Sequence, residues 1–240
     1  MLARSVVEVG LGGVLRRVDT QPPLTIRQVH SPHDECALCL VGTAAGPLAG
    51  DDLALDIVIH AGARASLRTT GASIAQGRDH AKARMATKAR LGVGAHLEAE
   101  PGPLIVCAGA ALDVELNIEL CSQATLRWNE LLVLGRTGEP TGALRMRWRV
   151  TRGGITLLRQ DVDLADPDLR HWAGMTAGHR VLASTLLVGP DVIGKTISHG
   201  YYAVAQPLAE DAVLITVLGP SAAEVAQQRD ALIAETTIPG

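Results

Sequence analysis

The chain has 240 residues, with no phenylalanine, three tryptophans and two tyrosines, so its core must come from alanine, leucine, valine and isoleucine. A formal charge of −3 and a pI near 6.2 give no basic field to attract a phosphate backbone, which excludes nucleic-acid binding as a leading function. No run approaches the ~18 consecutive apolar residues of a membrane-spanning helix.

Residues 1–17 alternate apolar, charged and glycine residues and lack the continuous apolar segment of a signal peptide. The expected location is therefore the cytoplasm, with the four cysteines as free thiols. His30, His33, Cys36 and Cys39 are spaced three apart and are of the types that bind zinc or nickel. However, residues 35–41 read as a strand, which would turn Cys36 and Cys39 to opposite faces. The favoured reading is two thiols acting as small apolar groups; the alternative is a His/Cys metal-binding enzyme.

The loop at 46–52 has glycines but no Gly-Lys-Ser/Thr ending and no following helix, so it is a turn rather than a phosphate cradle. Asp51, Asp52 and the later Asp56 could hold a cation weakly; the favoured reading is a hairpin turn with solvated aspartates. Leu53, Leu55, Ile57 and Ile59 then alternate with Ala54, Asp56, Val58 and His60, predicting a strand. The basic residues of 78–90 read as a solvated face. The phrase Gly62-Ala63-Arg64-Ala65-Ser66-Leu67 recurs as Gly94-Ala95-His96-Leu97-Glu98 and, more weakly, at 122–126. Repeats at that spacing suggest coils of strand stacked on one another.

Glu98 lies in an otherwise apolar strand before Pro101-Gly102-Pro103. A carboxylate there needs a partner, either an arginine or a functional one. Residues 112–120 show the clearest alternation, with one apolar and one charged face. Trp128-Asn129-Glu130 leads to a glycine-flanked Arg136/Glu139 pair that reads as structural. Leu144, Met146, Trp148 and Val150 alternate with arginines, and Gly153-Gly154 predicts a hairpin into residues 155–164. Two helices are expected, at 172–188 and 221–236, the second opened by Ser221 and Glu224. Residues 213–218 read as a buried strand. No nucleophile elbow, zinc-protease helix or dinucleotide fingerprint appears, so the chain is expected not to be an enzyme. The whole describes a single, mainly β domain over 1–240, with the helical part near its C-terminus.

Several of these segments, in order, resemble the UreD/UreH family of urease accessory proteins. They are the loop at 46–52, the strand at 62–70, the Glu-x-x-Pro-x-Pro segment at 94–105 with Gly109-Ala110, the segment 128–139, and residues 175–188. The match covers roughly residues 27–235. It departs from the family pattern at Asp51, which replaces a glycine, at 72–75, which lacks a lysine and an aromatic, and at Ala99, which replaces a tryptophan.

The resemblance implies a β-helix-like stack of strands with two helices. It implies partners: a UreF-like accessory protein, through it a UreG-like GTPase, and apo-urease, with room for a homodimer inside the complex. It also implies no stably bound cofactor, only Ni²⁺ in transit through a water-filled passage. Such a passage needs weak ligation, because an ion must leave as readily as it enters. Matching motifs nominate Asp52, Glu98, Glu130 and Glu139, with Asp56 as a further candidate. The helical regions at 172–188 and 221–238, exposing Leu and Val, are the expected partner surface. A β-rich interaction module unrelated to urease is the remaining alternative.

Overall fold

A computed structural model describes residues 1–31, 34–77, 81–170 and 172–238; His33 and the 78–80 part of the basic cluster lie outside them. The protein is mainly β. Its elements are β1 (Leu2–Gly10), β2 (Val14–Asp19), β3 (Leu24–Val29), β4 (Cys36–Gly42), β5 (Asp52–Ile59), β6 (Arg64–Thr69), β7 (Ser73–Ala75), β8 (Lys82–Leu91), β9 (His96–Glu100) and β10 (Pro103–Val106). There follow β11 (Ala111–Leu120), β12 (Thr125–Leu134), β13 (Ala143–Arg152), β14 (Ile155–Asp163), the single turn α1 (Pro167–Arg170), β15 (Val181–Val188), β16 (Ile197–Ser198), β17 (Ala203–Ala209), β18 (Ala212–Gly219) and α2 (Ala222–Thr236).

Two sheets face each other. The first runs β14-β13-β11-β8-β5-β1-β2, and the second β16-β17-β18-β15-β12-β9-β6-β4-β3, with β10 and β7 as a side strip beside β12. The chain passes from β5 to β6, from β8 to β9 and from β11 to β12, each time crossing from the first sheet to the second. Each coil therefore lies parallel to the one before it. The recurring sequence phrase marks these crossings. Gly62, Gly94 and Gln123 adopt positive φ of 66°, 64° and 58°. The alanine after each is buried, and its N–H donates to the carbonyl three residues back.

Alternation places the core. Ile57, Leu67, Leu97, Leu116, Leu126 and Trp148 fill the space between the sheets. The charged positions of β5, β8, β11 and β13 point outward and pair across strands, as in Arg147–Glu115 and Arg145–Asp163. The glycine pair turns the β13–β14 hairpin, both residues having positive φ.

A second apolar layer lies on the other face of the second sheet. There Val225, Leu232 and Ile233 of α2 cover Ala183, Leu187, Val213 and Val217. Ser221 caps the helix by accepting from the Glu224 N–H. The expected helix over 172–188 is corrected: Val181–Val188 is strand β15 in full. All eight of its residues are buried, because the core lies on one face and α2 on the other. The Leu and Val side chains expected to form a partner surface there are interior.

Candidate functional site

The structure spreads the five nominated carboxylates over four surroundings. Asp52 and Asp56 point from β5 to the outer face of the first sheet. Asp52 pairs with Arg84 at 3.1 Å, and Arg84 also holds Glu115 at 2.6 Å. Asp56 accepts from Arg4 Nε at 2.7 Å. Glu98 points from β9 to the outer face of the second sheet and pairs with Arg68 at 2.9 Å. Arg68 also holds Glu100 at 2.8 Å. Glu139 sits in the β12–β13 loop, where it accepts from the Arg136 backbone N–H at 2.9 Å and from its guanidinium at 3.0 Å. These bonds lower its pKa below the usual carboxylate range. Asp51 is turned into its loop and accepts from Leu48 N–H at 2.8 Å, so it is not solvated.

Glu130 differs from the other four. Alternation along β12 aims Leu126, Trp128, Glu130 and Leu132 between the sheets. Glu130 Oε2 accepts a hydrogen bond of 2.8 Å from the indole N–H of Trp148, itself fully buried on β13. Among the described residues no arginine or lysine pairs with it. Burial pushes its pKa up to about 7, partly opposed by the Trp148 donor, which favours the ionised form.

Glu130 lines a cavity of about 60 Å³ together with Met85, Thr87, Leu104, Leu116 and Trp128. At ~10–15 Å³ per water centre that is room for a few waters. Ser73, Pro101, Gly102, Val114 and the arginine-paired Glu115 complete the wall. The cavity exists because β12 changes partner. It pairs with β9 over Thr125–Trp128 and with β10 over Leu131–Leu134, so Asn129 and Glu130 fall in the gap. The Pro101-Gly102 break, legible in the sequence as a rigid turn, opens that gap. The indole N–H of Trp128, also on the cavity wall, is buried without a hydrogen-bond partner among the described residues.

No group of three or more His, Cys, Asp or Glu side chains among the described residues is gathered as a metal site. Cys36 is buried in the core, while Cys39 points to the opposite, outer face. A tight His/Cys centre would need both thiols on one side.

The UreD urease accessory protein family model matches residues 5–237. The chain belongs to this family. A urease accessory protein UreD of Parafrankia is 32% identical, the match covering 96% of this chain and 87% of that protein. Urease accessory protein UreD 1 of Saccharopolyspora erythraea is 36% identical over 76% of this chain and 74% of its own length. UreD 1 of Streptomyces griseus is 38% identical, but the match covers only 65% of this chain and 61% of that protein. Membership overturns the reading of a β-rich module unrelated to urease. For this UreD-family chain, sequence reasoning nominated Glu130 without its partner. Trp148 was visible only as one inward position of an alternating strand, and nothing local joins it to a residue across the core.

Proposed function

We propose that this UreD-family protein is a non-catalytic urease maturation factor, a scaffold between apo-urease and UreF- and UreG-type partners that passes Ni²⁺ toward the urease active site. The observation that supports the metal route is Glu130: a carboxylate without a cationic partner among the described residues, on the wall of a water-sized cavity between two sheets. One carboxylate plus water and the Thr87 and Ser73 hydroxyls would ligate Ni²⁺ loosely, as transit requires. A hard, oxygen-rich set of this kind holds a transition metal less firmly than His/Cys ligands do. The arginine-paired Asp52 and Asp56 on one sheet and Glu98 on the other fit the two outer ends of such a route, where an incoming cation can exchange with a guanidinium, whereas Glu139 is held by Arg136 away from it. No stably bound cofactor is required.

The test is restoration of urease activity in a strain lacking its own UreD-family protein. Glu130→Gln keeps the acceptor for Trp148 but removes the charge. It should lower urease activation at least ~10-fold while co-purification with the UreF- and UreG-type proteins persists. Full activation by Glu130→Gln would sink the route. Failure of the wild-type chain to restore activity would sink the maturation role itself.

A further inference from the structure

The loop between β12 and β13 and the stretch from α1 to β15 enclose a cavity of about 350 Å³, within the size range of small-ligand pockets. Arg170, Thr176, His179 and Arg180 line one side, with Glu139 and Thr141 opposite.

Both guanidiniums tie loop carbonyls. Arg170 Nη1 donates to the carbonyls of Thr141 and Gly142, each at 3.0 Å. Arg180 Nη2 donates to those of Leu134 at 3.3 Å, Glu139 at 3.1 Å and Arg136. Carbonyls satisfy N–H groups but carry no net charge. Among the described residues neither arginine has a carboxylate partner, unlike Arg84, Arg149 and Arg152 elsewhere. Glu139 is the one acid on the wall, and Arg136 already neutralises it. The nearby Asp166 accepts from the Asp168 backbone N–H at the start of α1 and does not line the cavity. The wall thus carries two uncompensated positive charges and an imidazole. Nε and one Nη of each arginine remain free of protein partners among the described residues.

We propose that this pocket binds a phosphate-class dianion, either inorganic phosphate or the phosphate group of a phosphomonoester. Two fixed guanidiniums match the charge of a dianion, and the Nε/Nη2 edge of Arg170, which no protein group among the described residues occupies, is a fork for two of its oxygens. The same charges repel Ni²⁺, so the pocket stands apart from the route past Glu130 and does not depend on it.

Calorimetric titration of the full chain with inorganic phosphate, and separately with phenyl phosphate, tests this. The wild type should bind one equivalent saturably. Tighter binding of phosphate assigns the free ion; tighter binding of phenyl phosphate assigns an ester. Arg180→Gln should weaken binding at least ~10-fold, about 1.4 kcal/mol. Arg170→Lys keeps the charge and a carbonyl donor but loses the fork. It should also weaken binding ~10-fold, and it decides the matter where Arg180→Gln does not fold. Arg145→Gln, on the outer face of the first sheet, should change nothing. No saturable binding of either probe, or binding that both pocket variants leave unaltered (an adventitious ion only), overturns the proposal.

Discussion

At Glu130 a part-buried carboxyl group has exchanged most of its bulk water for a small cavity and one indole donor, and that desolvation raises its pKa to about 7. Because the folded value lies above the unfolded one, the folded state binds the proton more tightly between about pH 4.5 and 7. Stability contributed by this residue is therefore full below pH ~4.5, falls as pH rises to ~7, and stays low above. Glu130→Gln should raise stability at pH 8 by ~1–3 kcal/mol, the upper figure discounted for cavity water, and should leave it unaltered near pH 4.5. Urea unfolding of both proteins at the two pH values checks this; equal gains at both would remove the charge from the explanation. The corners give a second test at this scale. Gly94 has φ +64° and open space around its absent Cβ, so Gly94→Ala should cost ~1–2 kcal/mol in thermal unfolding through backbone strain alone. Gln123 adopts the same conformation without being glycine, and Gln123→Gly should be neutral or stabilising by up to ~1 kcal/mol. The corner glycines were legible because positive φ leaves a local mark in sequence. The Glu130–Trp148 bond was not, because its two ends are 18 residues apart and meet only across the core.

Among the elements, the half-exposed strands were the legible ones. Residues 53–59 and 112–120 carry one charged and one apolar face, and a period of two follows directly from that asymmetry. β15 carries no such mark. Val181-Leu182-Ala183-Ser184-Thr185-Leu186-Leu187-Val188 carries no charge and is mostly apolar on both faces, and periodicity cannot separate a doubly buried strand from a buried helix. Its length of eight residues and its β-branched Val181, Thr185 and Val188 favour a strand. What buries its second face is α2, which starts more than thirty residues later, so the cause lay outside any local window. The dependence is mutual. Leu232 is fully buried in the layer between α2 and the second sheet. Leu232→Ala should cost ~2–4 kcal/mol by lost transfer energy and cavity formation, whereas Ser221→Ala should cost only ~1 kcal/mol through the lost cap. Chemical denaturation of the two variants checks the ranking; near-equal costs would mean that α2 is held by its own propensity rather than by packing.

Across the whole molecule, the parallel coils and the antiparallel C-terminal strands must behave as one body if a route through the coils is to keep its shape. Strand pairing of β12 with β15 joins the two parts within the second sheet. A second tie runs between the sheets: Arg152, at the end of β13, grips Asp211 in the β17–β18 turn through two bonds of 2.6 and 2.8 Å. Arg152 holds the Asp211 carboxyl below its ordinary pKa, with burial opposing. The sign is opposite to that of Glu130. The stability it supplies is present above the unfolded value of about 3.8 and is lost as pH falls through the lower folded value. Both side chains are partly exposed, so solvent screening limits the pair, though its two-bond geometry sets it above an ordinary surface contact. A double-mutant cycle of Arg152→Gln and Asp211→Asn should give a coupling of ~0.5–1.5 kcal/mol at pH 7 and close to none near pH 2. If the coupling persists at low pH, the contact acts through packing rather than charge. If Asp211→Asn splits unfolding into two transitions, the tie is what makes the coils and the C-terminal strands a single cooperative unit.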